Sequence, residues 1–167
     1  MMRPVPLGLL VAVLAIGADQ VTKWWILASV MDPPRIINVT PFFNVVLVWN
    51  RGISFGMFSN ESMAGVWILS FLALIIVGFL FNWLRKAESK RVAISLGLII
   101  GGALGNVIDR AVHSAVLDFL DFYIGSVRWP AFNAADSFIT VGAILLILDS
   151  LFSRGSDQSK IKRHDRQ

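Results

Sequence analysis

The chain has 167 residues, of which 56% are hydrophobic and only 16% charged, with a mean hydropathy of +0.69. Soluble domains run about 45–50% apolar and about 25% charged, so the excess is too large for one buried core and lipid must solvate much of the surface. The chain has no cysteine, which excludes disulfides and thiolate metal sites. The net charge of +4 sits in short basic clusters beside apolar runs. That placement speaks for membrane orientation rather than nucleic-acid binding.

A membrane helix needs about 20 mostly apolar residues. The first stretch of that length runs from 7 to 27. Arg3, an apolar run and the small residues Ala15, Gly17 and Ala18 resemble a secretory signal. Apolar character resumes at Trp24–Leu27, however, so the segment is long enough to span. Residues 28–63 then form a loop too long for an ordinary connection. Within it Ile36–Val39 and Phe42–Trp49 are rich in β-branched and aromatic residues, which predicts two strands of a small sheet. Further spans are expected at 64–84, 92–108 and 134–152, with a loop at 109–133. The expectation is one membrane domain over 1–153, all-α with four transmembrane helices and a small extracytoplasmic sheet. The tail 154–167 is basic and aperiodic, and is expected to be irregular or to lie against anionic lipid.

Ten of the 15 Lys and Arg precede the first span, fill the loop at 85–91 or follow the fourth span. The opposite loops hold four: Arg35, Arg51, Arg110 and Arg128. The positive-inside bias predicts cytoplasmic termini, with 28–63 and 109–133 on the outer side.

Two segments share a pattern. GGALGNVIDR (101–110) contains Asn106 and Asp109; FNAADS (132–137) contains Asn133 and Asp136. Residues three apart share a helix face, so each Asn neighbours its Asp, at two helix ends on the same side. An acid at membrane depth is expensive and marks function by default. The plainer alternatives are a variant capping box for Asn133 and Asp136 and a charged helix end for Asp109. Asp19 and Lys23, at i and i+4, read either as a mutual salt bridge with Lys23 reaching the interface or as a holder of loop or substrate. Asp118 and Asp121 fall in the outer loop, where solvation is the simplest reading for Asp121. Gly101 and Gly105 form a small-residue packing face. His113 and His164 are isolated and are expected to be solvated.

Five blocks together resemble the lipoprotein signal peptidase (signal peptidase II) family: DQVTK (19–23), NRGISFG (50–56), GGALGNVIDR (101–110), VLDF (116–119) and FNAADS (132–137). The resemblance spans nearly the whole chain; the family commonly has Ala where Ser54 stands. It implies a catalytic pair, Asp109 and Asp136, supported by Asp19, Lys23, Asn50, Gly52, Asn106, Arg110, Asp118, Asn133 and Ala135. It implies an aspartic endopeptidase of the bacterial inner membrane that needs no metal or cofactor. Its substrates would be diacylglyceryl-prolipoproteins, cleaved N-terminal to the lipidated Cys, and globomycin would inhibit it. Membrane lipid is the other expected partner, and nucleic acid is not. Helix dipoles suggest that Asp136, in a first turn, carries the charge and Asp109, in a last turn, the proton. Two other functions, and one other peptidase chemistry, would use different residues. An ion relay would place its acids at midplane. A metal-dependent lipid-phosphate hydrolase would use Asp pairs on Mg²⁺. A Ser/Lys pair would have to combine Ser54 with Lys23.

Overall fold

A computed structural model describes residues 4–52 and 63–164, with side chains described as far as Phe152. Ser54 and most of the NRGISFG block therefore lie outside the described residues. The elements are α1 (Val5–Trp25), a π-helical turn (Ile26–Val30), β1 (Ile37–Thr40), β2 (Phe43–Asn50), α2 (Met63–Lys86), α3 (Lys90–His113), β3 (Val116–Ile124), β4 (Val127–Arg128) and α4 (Ala134–His164). Among the described residues four helices are long and apolar enough to cross a membrane. They match the expected spans within a few residues at most ends. Two boundaries differ usefully. α3 runs five residues past the expected end, to His113, so Asp109 lies inside its last turns. α4 continues to His164, so the backbone beyond Phe152 is helical where an irregular tail was expected.

α3 is the centre of the bundle and packs against α1, α2 and α4. Its sequence explains why. Gly97, Gly101 and Gly105 recur every four residues and form a stripe facing α1. A Cβ at Gly101 would lie 2.6 Å from the Ala12 carbonyl oxygen. One position round the helix, a Cβ at Gly102 would lie 2.4 Å from the Ala135 carbonyl oxygen of α4. In lipid there is little hydrophobic drive between helices, so close backbone approach through small residues holds them together. α2, α4 and the outer face of α1 instead expose Leu, Ile, Phe and Trp. These residues have lipid as their solvent.

The strands form one antiparallel sheet of order β1-β2-β3-β4. β1 and β2 confirm the two expected strands. β3 and β4 were not foreseen, and they turn the expected loop 109–133 into half of the sheet. β3 starts where α3 ends at Ser114, whose φ of 55° turns the chain out of the helix. In the register, Val48 lies opposite Asp118 and Asn44 opposite Asp121. Ile26, Met31, Leu117 and Phe119 make a small apolar core between the π-helical turn and the sheet. The sheet is thus fixed over one end of the bundle, where α1 and α3 finish and α4 begins.

The stripe can be tested against a glycine that packs on nothing. Gly101→Val should destabilise the protein in detergent by about 1–3 kcal/mol through overpacking. Gly17→Ala has open space around its new methyl and should match the wild type or gain a few tenths of a kcal/mol of helix propensity. Thermal unfolding of the two variants checks this; equal melting temperatures would count against the stripe.

Candidate active site

Where the two long loops meet the helix ends, polar side chains join in one continuous hydrogen-bonded network. It begins on α1. Lys23 is buried, and its ammonium lies 2.8 Å from Asp19 Oδ2 and 2.9 Å from Asp109 Oδ2. It also donates to Asn106 Oδ1 at 3.1 Å. The local Asp19–Lys23 pair read from spacing is real, but Lys23 does not reach the interface. It turns inward and ties α1 to α3. Asp19 Oδ1 accepts from the Ala135 backbone N–H at 2.9 Å, which ties α1 to α4 as well. Gly105 leaves room for this: a Cβ there would lie 2.5 Å from Asp19 Oδ2.

The amides carry the network onward. Asn106 Nδ2 donates to Asp136 Oδ1 at 2.8 Å. Asn133 Nδ2 donates to Asn106 Oδ1 at 3.1 Å and to Asp118 Oδ1 at 2.8 Å. Asn50, at the end of β2, donates to Asp118 Oδ2 at 3.0 Å and accepts from the Gly52 N–H at 2.9 Å. Gly52 needs to be glycine, with φ of 93° and the Leu69 side chain 2.2 Å from where a Cβ would stand. The capping box also exists: Asn133 Oδ1 accepts from Asp136 N at 3.0 Å, and Asp136 Oδ2 accepts from Asn133 N at 3.2 Å. Asp136 therefore starts α4 and joins the site at once, so the plain and the functional readings both hold.

Every expected site residue lies in this neighbourhood, but two acids do not sit as the sequence suggested. Asp109 has no open oxygen. Its Oδ1 accepts from Gln20 at 2.9 Å, and its Oδ2 takes Lys23 and the Leu117 N–H at 3.0 Å. A carboxylate so filled, and neutralised by an ammonium, is built into the scaffold. The Lys23 counterion also removes the basis for assigning charges from helix dipoles alone. Asp118 differs: it is buried with only neutral amide donors on it. Burial pushes its carboxyl up to about 6, the charge of Asp136 adds to this, and the Asn50 and Asn133 donors and Lys23 oppose it.

Arg110 sits at the rim, in electrostatic reach of Asp136, Asp109 and Asp118. Among the described residues its buried Nε–H has no hydrogen-bond partner. Gln20 was missed by the sequence reading, although it belongs to the DQVTK block; it bonds Asp19, Asp109 and the Gly105 carbonyl. Asp121 is not solvated as expected. It is buried in β3 and held by Asn44 at 3.1 Å and by Arg128. His113 is exposed, with its ring tilted against Trp49 at 5.1 Å between centroids.

Four spans capped at one end by a sheet, with acids and amides buried where the two meet, define a multi-pass membrane protein with an acid–amide site. Residues 11–152 match the family described as Signal peptidase (SPase) II. The lipoprotein signal peptidase of Methylorubrum extorquens (strain PA1) is 44% identical over 147 residues, covering 86% of this chain and 85% of the relative. That of Rhodopseudomonas palustris (strain TIE-1) is also 44% identical, covering 90% and 94%. A bacterial membrane enzyme solved by the in meso method at 1.9 Å superposes with a TM-score of 0.73 at 33% identity, covering 90% of this chain and 98% of that one. The chain belongs to the signal peptidase II family, the lipoprotein signal peptidases. It is a membrane peptidase that removes signal peptides from lipoproteins.

The role of Lys23 generates a test. Lys23→Met leaves Asp19 and Asp109 buried without their counterion, which should cost about 3–5 kcal/mol. Adding Asp109→Asn removes one stranded charge and should recover part of the loss. Melting temperatures of the single and double variants measure this; no recovery in the double variant would show that Lys23 and Asp109 are not energetically paired.

Proposed function

We propose that the protein is an aspartyl endopeptidase whose reacting carboxyls are Asp118 and Asp136. It cleaves diacylglyceryl-prolipoproteins on the N-terminal side of the lipidated Cys. The observation that carries this is the contrast between the three acids. Asp109 is filled by three donors including an ammonium, whereas Asp118 and Asp136 are held by neutral donors and share the Asn106–Asn133 amide pair. Asp136 remains partly exposed, and Asp118 keeps a proton up to about pH 6.

Amide hydrolysis needs an activated water and a polarised carbonyl. Two carboxyls sharing one proton supply both. The ionised one takes a proton from water and later passes it to the leaving amine; the protonated one donates to the carbonyl oxygen and takes that proton back as the tetrahedral intermediate collapses. Asn106 and Asn133 orient the two groups. The unfilled Nε–H of Arg110 is a donor for the developing oxyanion. Asp19, Lys23, Gln20 and Asp109 clamp α1, α3 and α4 so that this geometry persists. Ala135 adds its N–H to the same clamp, and Gly52 shapes the turn that aims Asn50 at Asp118.

The basic asymmetry supports cytoplasmic termini and a site near the outer face of the inner membrane. Acyl chains on the substrate would stay in lipid beside the bundle. Their burial is worth about 0.8 kcal/mol per CH₂, and part of that energy can fix the scissile bond at the depth of the acids. Globomycin, a cyclic peptide, is the expected inhibitor.

Cleavage of a diacylglyceryl-prolipoprotein tests the assignment. Asp118→Asn and Asp136→Asn should each lower turnover by three or more orders of magnitude, in line with losing a member of a concerted catalytic pair, with little change in melting temperature. Asp109→Asn should lose melting temperature and retain more turnover than either. The pH profile follows from Asp118: its proton is held below about 6 and lost above. The singly protonated pair is therefore depleted as pH rises, and kcat/KM should fall above about 6, as a property of the pair. Full turnover by Asp118→Asn would return the catalytic role to Asp109.

A further inference from the structure

The β3–β4 hairpin is an amphipathic ribbon whose chemistry the catalytic site does not use. Its two-residue turn is Gly125–Ser126, with Ile124 paired to Val127 and Tyr123 to Arg128. Gly125 takes φ of 59°, as such tight hairpins require. Side chains alternate between faces along a strand. One face carries Asp121, Tyr123 and Arg128, with the guanidinium paired to Asp121 and set over the Tyr123 ring at 5.0 Å. The other carries Phe122, Ile124, Val127 and Trp129, and has no polar side chain. Ile124 is 84% exposed, Val127 73% and Trp129 69%. With Phe42, Phe132 and the edge of Tyr123 this face lines an open apolar groove of about 490 Å³.

The direction of that face follows from Asp118, which is an even number of residues before Phe122 and Ile124 and so shares their side of β3. At Asp118 this side meets the start of α4, through Asn133. Four to six residues further on, Phe122 stacks on Phe43 and Phe132 and stays 39% exposed, while Ile124 lies bare. The spans whose ends the sheet covers are long and apolar enough to cross a bilayer, which would border them on every outer side. Apolar side chains this exposed mark a membrane or partner contact, and a tryptophan beside an arginine suits the lipid headgroup region. The groove lining holds no acid, so nothing in it repels anionic phosphate.

The geometry points to the apolar face of this hairpin, Phe122, Ile124, Val127 and Trp129, as a bilayer anchor that dips into the interface beside the bundle. The anchor holds the sheet down over the helix ends and fixes the height of Asp118 relative to the lipid. The occupant is lipid, not peptide. The inference rests on the four spans and not on which acids react, so it stands or falls separately from the catalytic assignment.

Because the chain has no cysteine, Ser126→Cys gives a unique site for a nitroxide label. The labelled protein is placed in bilayers of phosphatidylethanolamine and phosphatidylglycerol. Collision with oxygen and with a water-soluble nickel chelate is then measured by electron paramagnetic resonance. The oxygen-to-nickel ratio should be several-fold higher than for a label at Glu88→Cys, in the short α2–α3 loop. Adding Ile124→Ser and Val127→Ser should bring the ratio down to that of the loop, with the melting temperature unchanged. A loop-like ratio in the otherwise native chain would overturn the anchor. So would a label that becomes protected only when prolipoprotein is added, since the groove would then hold peptide. A ratio that the two serines do not change would also overturn it.

Discussion

A lysine ammonium buried between membrane spans must be neutralised, and the rest of the site depends on how Lys23 achieves this. An unpaired charge at such a depth is strongly unfavourable. Lys23 therefore draws in Asp19 from its own helix and Asp109 and Asn106 from α3. Those contacts require α1 and α3 to approach closely. Glycines at 97, 101 and 105 permit that approach by leaving no Cβ in the way. Asp19 then has one oxygen left for the Ala135 N–H, which brings in α4 at its first turn. Three helices are thus joined by one buried charge cluster, and the amides Asn106 and Asn133 meet at their junction.

Seen this way, the acids divide the work by their partners. Asp109 and Asp19 balance Lys23 and hold helices together. Asp136 begins α4 through its box with Asn133, and its two oxygens accept from neutral groups, the Asn133 N–H and the Asn106 amide. Asp118 arrives from the sheet and meets only amides. Burial without a close counterion is what holds its proton up to about pH 6. The sheet is therefore part of the site, because it brings in an acid that the helix bundle does not provide.

Much of this was legible in the sequence. The spans stood out because lipid-facing helices are apolar all round, which period and length reveal. The strand at 43–50 stood out through its Val and aromatic content. The paired Asn-x-x-Asp motifs located the site, because three-residue spacing on a helix fixes a shared face. β3 was less legible. VLDFLDFYI (116–124) alternates well, but its two acids resemble loop residues until both are seen buried by partners from other strands. The roles of Asp109 and Asp118 could not be divided from sequence either. Spacing shows Lys23 one turn from Asp19, whereas its contact with Asp109 spans helices distant in sequence. Gln20 escaped for the same reason: its partners on α3 are 85 and 89 residues away.

The central claim is that Asp118, not Asp109, is the acid whose proton is poised for reaction with Asp136. Infrared difference spectra of the protein in lipid, recorded while pH is stepped from 8 to 4, test it most directly. A buried carboxylic acid band should grow in as pH falls through about 6, be absent from Asp118→Asn and persist in Asp109→Asn. A band that vanishes with Asp109→Asn and survives Asp118→Asn would contradict it.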